Sequence, residues 1–458
     1  MDVQGKRVLV VGLGKSGVAS SLFLQSRGAR VTVSDEKSQE QLRTEIPALL
    51  DKGIMVETGK HGERTFRDQD LIVVSPGVPN DVPQLMNARK MGIPVIGEIE
   101  LAARYLEGKV IAITGSNGKT TTTTLTGEVI AAGGLQSLVG GNIGTPAITF
   151  VDQSSPNTWV VLEISSFQLE TIETFKPHIA AILNITPDHL DRHGSMEAYI
   201  AAKARIFETQ TDKDFAVLNM DDPTCVALGQ KLTPRVYWFS RKTEVERGSF
   251  VRGGRIVFRD ARGEREIMPV EEITLKGAHN LENVLAAAAM GILAGVEPAK
   301  VRRAVKGFKA VEHRLEYTAT MRGVQYFNDS KATNVDATIK ALESFPGNIH
   351  LILGGKDKGS DYSVLNDLLK ARVKRVYTIG AAAQKIESQI SGVNVTSAGT
   401  LDQAVRKASE FAEPGDVVLL APACASFDQF QSYEQRGRVF KEVVRALAAR
   451  EASHAGGN

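Results

Sequence analysis

Two glycine-rich turns and a few isolated polar residues at strand ends carry the chemistry this 458-residue sequence can do. In "TGSNGKTT" (Thr114 to Thr121), Gly115 and Gly118 let the backbone of Ser116 and Asn117 aim amides at an oxyanion. Lys119 can then reach a terminal phosphate, and Thr120, followed by Thr121, offers a hydroxyl to Mg²⁺. The position five before Gly118 is Ile113, so this turn is a shortened relative of the usual G-x-x-x-x-G-K phosphate loop. It predicts a site for the γ-phosphate of ATP. The earlier turn, "VLVVGLGKSG" (Val8 to Gly17), spaces Gly12, Gly14 and Gly17 between a strand and a helix, where backbone and helix dipole together favour a phosphate. Asp35, ending the second strand, stands where a ribose-binding acid would. Alone, that turn fits an NAD(P)-dependent oxidoreductase, but nothing downstream supplies a recognisable partner set for hydride transfer.

Four further residues are notable for where they fall. Glu163 closes the apolar run "WVVLE", where a buried acid is costly unless a counter-charge meets it. His189 and His193 are four apart in "PDHLDRHG", a spacing that suggests zinc. Pro187 and the polar run instead mark a loop, and no third nitrogen or sulfur ligand follows at a usual spacing, so Mg²⁺ beside a triphosphate is the better match. Lys203 falls in the middle of an apolar helix face formed by Met196, Tyr199, Ile200 and Phe207, in a helix that Ser195 can cap. Either it snorkels its ammonium to water, or burial leaves a neutral, reactive amine. A neutral amine could take up CO₂ as a carbamate and so become an anionic oxygen ligand.

The elements that must hold these residues alternate between strand and helix. "RVLVVGLG", "ARVTVSDE", "DLIVVSPGVP" and "IPVIGE" are apolar strands ending in turns, and the pattern restarts at "VIAITGSNGKTTTT". "WVVLEIS", "IAAILNI" and "DFAVLNM" continue it, each delivering polar residues at its C-terminal end. "GSFVRGGRIVFRDARGE" reads as an exposed hairpin ornament, and "GAHNLENVLAAAAMGILAG" as a helix. A third α/β section starts near Val311 with "VQYFNDSKATN", "IHLILGGKDKG", "VKRVYTIG" and "DVVLLAPACASFDQF". The expected fold class is α/β in three domains: a Rossmann-like unit at 1–97, a central P-loop-type ATP-binding unit at 98–310 and a Rossmann-like unit at 311–458. The closing "EASHAGGN" reads as a frayed tail.

Composition narrows the class. Apolar content of 42% and charged content of 24% are those of an ordinary globular protein, and a net charge of +2 gives no electrostatic basis for nucleic-acid binding. The two cysteines, Cys225 and Cys424, lie far apart in sequence and fit a reducing compartment. "VLAAAAMGILAGV" is too short to span a bilayer and reads as a buried helix. These features predict a cytoplasmic protein with no membrane partner.

Taken together, "GSNGKTTTT", "LEISSFQLE", "PDHLDRHGSMEAYIAAKARIF", "GAHNLENVLAA", "NDSKATN", "LILGGKDKGSD" and "PACASFDQFQSYEQRG" resemble the Mur ligases of peptidoglycan assembly, in that family's order and across all three sections. "SSFQLE" and "PACASFDQF" resemble its D-glutamate-adding branch. The resemblance implies an ADP-forming acid–amino-acid ligase that adds D-glutamate to UDP-N-acetylmuramoyl-L-alanine through an acyl phosphate, using ATP and Mg²⁺. Carried over by position, Lys119 stabilises the transferring phosphoryl group. Thr120 and Glu163 hold one metal ion, and His189 and a carbamylated Lys203 hold or position another. Asn142 contacts the substrate near its carboxylate. The resemblance places Asn280, Asn283, Arg314 and Asp329 around adenine and ribose, while Lys331 can reach phosphate. Thr333, Lys358, Ser426 and Tyr433 surround the amino acid, although the family commonly has phenylalanine where Tyr433 stands. The first turn then grips the uridine diphosphate, with Gly14, Lys15, Ser16, Asp35, Lys37, Ser75 and Gly77 near it. Two phosphate turns thus serve two nucleotides. An oxidoreductase would leave "GSNGKTTTT" without a task, and a nucleotide-switched binding module would have no use for Lys203.

Overall fold

The computed structural model describes residues 1–275, 277–309 and 312–455, so the 310/311 junction expected between the second and third sections lies outside the described residues. Three sheets carry the chain. The first contains β1 (Arg7–Val11), β2 (Arg30–Asp35), β3 (Met55–Thr58), β4 (Leu71–Val74) and β5 (Val95–Gly97), in the order β3-β2-β1-β4-β5 and parallel throughout. Val8 to Val11 and Leu71 to Val74 are buried in unbroken runs, as expected where helices cover both faces of a parallel sheet.

The second sheet contains β6 (Lys109–Thr114), β7 (Ser137–Gly141), β8 (Trp159–Glu163), β9 (Ile179–Ile182), β10 (Phe215–Asn219), β11 (Arg235–Ser240), β12 (Gly248–Arg252), β13 (Arg255–Asp260) and β14 (Gly263–Pro269). Its order is β14-β13-β12-β11-β10-β9-β6-β8-β7. β6 therefore lies between β8 and β9. The register sets Ile113 beside Glu163 on one side and Thr114 beside Ile182 on the other. The turn after β6 thus emerges between the ends of two neighbouring strands, the position at which open α/β sheets bind ligands.

The segment expected to be an exposed hairpin is instead part of this sheet. β12, β13 and β14 extend its edge, and Phe250, Ile256, Phe258 and Met268 are fully buried. The sequence reading went astray on the arginines, whose charge suggested a solvated ribbon. Arg252 and Arg259 lie over the Phe250 ring and Arg265 over the Phe258 ring, so their stems cover the aromatics while their heads pair with Glu244, Glu264 and Asp260.

The third sheet contains β15 (Glu316–Met321), β16 (Val324–Asn328), β17 (Ile349–Gly354), β18 (Val373–Ile379), β19 (Asn394–Gly399) and β20 (Val417–Leu420), in the order β15-β16-β20-β17-β18-β19. β15 is its one antiparallel edge, and apolar clusters pack on both faces. The chain closes on a helix, Tyr433–Ala455, so the first part of the expected frayed tail is helical.

Clustered by compactness, the chain forms two units. The first two sheets share one unit (Met1–Ile185, Glu197–Glu272 and Glu282–Gly307), while Thr186–Met196 and Ile273–Leu281 belong with the third sheet. Within the first unit, the helix Glu98–Ala103 joins the two sheets through two buried acids. Glu100 accepts backbone N–H bonds from Glu173, Thr174 and Phe175 at 2.8 to 2.9 Å. Glu98 accepts from Ile148 N at 2.8 Å, but its second oxygen is buried without a hydrogen-bond partner among the described residues. Burial raises the Glu98 carboxyl to about 7, against the pull of the Ile148 and Ala147 amides.

A carboxyl whose folded value is raised contributes fully below its unfolded value and loses that contribution as pH rises through the folded value. Wild-type stability is therefore expected to fall between about pH 5 and pH 8 relative to Glu98→Gln, by up to about 3 kcal/mol. Urea unfolding of both chains at the two pH values checks this, and parallel pH profiles would contradict it.

Candidate functional site

The turn after β6 is held from three sides. Gly118 begins the helix Lys119–Ala132 with φ +85°, and a Cβ there would come within 2.3 Å of the Asn283 side-chain oxygen, so only glycine fits. Asn184, just past β9, accepts from Asn117 N at 2.8 Å and donates to Asn117 O at 3.1 Å, while its own carbonyl accepts from Ser116 N at 3.0 Å. The Ser116 hydroxyl meets Tyr199 Oη at 3.0 Å. Sequence reasoning missed Asn184. Its signal was a polar residue directly after the apolar strand "IAAIL", and only strand order reveals that β9 adjoins β6.

Lys119 Nζ donates to Gly115 O at 2.8 Å and Ser116 O at 2.9 Å, keeping the ammonium at the mouth of the turn. Lys203 comes to the same place from the helix Met196–Ala204. It is 1% exposed, and its Nζ donates to Gly115 O at 2.9 Å, 4.6 Å from the centre of the Tyr199 ring. Burial rules out the snorkelling alternative. Two amines therefore converge on one carbonyl oxygen. An anion bound there, or loss of charge from one amine, relieves the repulsion between them.

Glu163 is also 1% exposed. Its Oε2 accepts from the Thr120 hydroxyl at 2.8 Å and its Oε1 from Asn142 Nδ2 at 3.0 Å. Among the described residues its side-chain oxygens meet these two neutral donors and no cation. A buried carboxylate beside a hydroxyl, without a counter-charge, is hard-oxygen chemistry that fits Mg²⁺.

The turn at Gly12 is equally built. A Cβ on Gly17 would sit 1.9 Å from Gly12 O, so helix and turn touch through glycine. The Ser75 hydroxyl donates to Gly12 O at 2.7 Å. Buried Asp35 accepts from Leu13 N of the turn at 2.6 Å through one oxygen and from Lys37 N, in its own loop, at 2.8 Å through the other. Gly14, Lys15, Lys37 and Gly77 are exposed along this rim, and Ser16 is half-buried.

The second unit gathers another group. Asp188 accepts from Lys358 Nζ at 3.1 Å and Asn334 Nδ2 at 3.0 Å, and His189 beside it has φ 55°. Lys331 lies 4.0 Å over the Tyr433 ring, while Thr333 N donates to Lys331 O at 2.8 Å. Asp329 is buried, and its carboxyl is pushed up to about 6, with Arg314 opposing the rise. Arg436, fully buried, donates to the carbonyls of Cys424 and Ser330 at 3.1 and 2.9 Å, bracing the turn that ends in buried Ser426. Burial lowers this guanidinium to about 10. Asn280, buried near the start of the helix Ala278–Leu293, belongs with this unit, whereas Asn283, also buried, belongs to the first unit and accepts from the Thr122 hydroxyl at 3.2 Å. Asp188, Asn334 and Arg436 went unnoticed in the sequence because they hold other residues in place.

Three family models match the chain: Mur ligase MurD-like N-terminal domain over residues 6–97, Mur ligase middle domain over 113–291, and Mur ligase glutamate ligase domain over 313–424. A UDP-N-acetylmuramoylalanine–D-glutamate ligase from Koribacter versatilis is 69% identical over 98% of this chain and 100% of its own length. The enzyme of the same name from Acidobacterium capsulatum is 60% identical over 97% of each chain. Among solved structures, a pseudomurein peptide ligase type C from Methanothermus fervidus shares the fold at TM-score 0.61 and 19% identity, over 97% of this chain and 100% of that one. UDP-N-acetylmuramate-alanine ligase MurC from Thermotoga maritima does so at TM-score 0.60 and 21% identity, over 96% and 100%.

Asn184→Ala deprives Asn117 N and O of their partners and is expected to weaken binding of a non-hydrolysable ATP analogue about tenfold. Calorimetric titration of the folded variant checks this, and unchanged affinity would show that the turn needs no such brace.

Proposed function

The chain belongs to the Mur ligase family, and we propose on that premise how its residues divide the family's reaction. It is an ATP-dependent ligase that adds D-glutamate to UDP-N-acetylmuramoyl-L-alanine through an acyl phosphate, with Mg²⁺, in synthesis of a peptidoglycan precursor. The oxidoreductase alternative is not supported, since the section carrying the first turn matches a ligase domain and the full-length relatives are ligases.

The observation that carries the assignment is the meeting of Lys119 and Lys203 at Gly115 O, in the same turn whose Thr120 touches Glu163. The amides of Ser116 to Thr121, with the Lys119 ammonium, cradle the ATP phosphates. An oxygen of the L-alanine carboxylate bonds to the γ-phosphorus as the bridge to ADP breaks, and Lys119 neutralises the charge that moves. Asn142, bonded to Glu163, orients that carboxylate. Thr120 and Glu163 would hold Mg²⁺, which supplies charge neutralisation for the phosphoryl group. Lys203, as a carbamate, becomes an anionic oxygen donor, and His189 keeps the positioning role the resemblance implies.

Phosphorylation is needed because a carboxylate is a poor electrophile with a poor leaving group. The D-glutamate amine then attacks the acyl carbon, loses a proton and expels inorganic phosphate. Lys358, Thr333, Ser426 and Tyr433 hold D-glutamate. Asn280, Asn283, Arg314 and Asp329 hold the adenosine, with Lys331 toward phosphate. Gly14, Lys15, Ser16, Asp35, Lys37, Ser75 and Gly77 receive the uridine diphosphate. No helix of the described residues is long and apolar enough to cross a membrane. The reading extends to a monomer in the cytoplasm, the compartment that the nucleotide nature of two substrates supports.

Phosphate release is expected to require both UDP-N-acetylmuramoyl-L-alanine and D-glutamate, and release indifferent to either would overturn the reading. Lys119→Ala should abolish phosphoryl transfer in a chain that still folds. Lys203→Ala should lose about a hundredfold in kcat, with partial recovery on adding acetate or formate. Full turnover without rescue would remove the carbamate.

A further inference from the structure

Two loops of the second unit carry residues assigned above to D-glutamate: residues 356–359, with Lys358, and residues 423–426, with Ser426. A chain of polar groups, buried at Tyr362 and Cys424 and half-buried at Asp357 and Lys385, ties these loops together, and none of its members takes part in the mechanism. Tyr362 is fully buried in the core beneath them. Its hydroxyl donates to Asp357 Oδ1 at 2.8 Å and lies 2.9 Å from Cys424 Sγ. The other Asp357 oxygen accepts from Lys385 Nζ at 2.7 Å. A short backbone bridge runs alongside, with Lys356 N donating to Ala425 O at 2.8 Å and Ala425 N to Lys356 O at 3.1 Å.

The proton directions follow from the chemistry. Burial pushes the Asp357 carboxyl up, but Lys385 and the Tyr362 hydroxyl outweigh it and hold it below the usual carboxylate range. Asp357 is thus an anion and accepts the Tyr362 proton. Burial lifts the Cys424 thiol to about 11, so it keeps its proton and donates it to the Tyr362 oxygen. The chain runs from thiol to phenol to carboxylate to ammonium, each donor matched to an acceptor. Asp357 immediately precedes Lys358, and Cys424 stands two residues before Ser426.

We infer that Tyr362 is a positioning residue for the amino-acid site: its hydroxyl clamps the two loops and sets the spacing between Lys358 and Ser426. This rests on the reading that those two residues meet D-glutamate. The hydroxyl is what matters, because the ring alone would fill the same core volume. The packing of Tyr362 against Leu365, Ala423 and their neighbours holds the loops near one another, and the hydrogen bonds fix their register.

Tyr362→Phe keeps the packing and removes the link. KM for D-glutamate is expected to rise about fivefold as the bonds to Asp357 and Cys424 are lost together. KM for ATP, KM for UDP-N-acetylmuramoyl-L-alanine and kcat should stay within about twofold. Cys424→Ala should raise KM for D-glutamate in the same direction. The double variant should show less than the product of the two single effects, since both break one chain. An unchanged KM for D-glutamate in Tyr362→Phe, or all three KM values rising together, would overturn the clamp. Lys358→Ala separates the two levels. If it raises KM for D-glutamate while Tyr362→Phe does not, the clamp fails and the amino-acid site stands. If Lys358→Ala itself leaves that KM unchanged, the site reading fails and the clamp with it.

Discussion

The Gly115 carbonyl oxygen is the point on which the central site depends, because Lys119 and Lys203 both direct their amines to it. Lys119 arrives from the first turn of its own helix, Lys203 from a helix more than eighty residues further along. Neither contact would persist if the turn could relax. The bracing explains why it does not: Asn184 takes three of its backbone groups, Tyr199 takes a side chain, and Gly118 turns left-handed against Asn283. Two side-chain nitrogens are thereby fixed in a small, largely buried volume before any ligand arrives, the preorganisation that moving a phosphoryl group requires.

The acids sort by what meets them. Glu100 is occupied by three backbone amides and paired with Arg104, so this carboxylate acts as a structural pin. Glu163 has the same burial but neutral side-chain partners, leaving its charge for a cation. Cations divide in the same way. Arg436 is buried against carbonyls and braces a turn, while Lys358 shares the half-buried Asp188 with Asn334. In each pair the residue types are alike, and the partners decide which one builds the site and which one works in it.

Much of the fold was legible because parallel strands buried on both faces read as apolar runs, and each run here ends in a glycine or a polar residue that marks the turn. The phosphate turn, Glu163 and Lys203 could be singled out on those grounds. The ribbon β12–β14 was misread because arginine looks solvated in a sequence, although its stem can cover a phenylalanine. Asn184, Asp188, Asn334, Tyr362 and Arg436 passed unnoticed for a different reason. They bond to backbone or to other side chains, and no motif spacing records such partners.

The sequence by itself determined the local chemistry: which turns can face a phosphate, which strands are buried, and which family order the motifs follow. These depend on neighbours within a few residues, where glycine spacing and apolar periodicity act directly. Only the tertiary structure decided that β6 lies between β8 and β9, and hence that Glu163, Asn184 and Lys203 share one turn. It also decided whether Lys203 faces water or the interior. Strand order and burial arise from contacts between segments far apart in the chain, and a residue's type does not specify the partner it will meet.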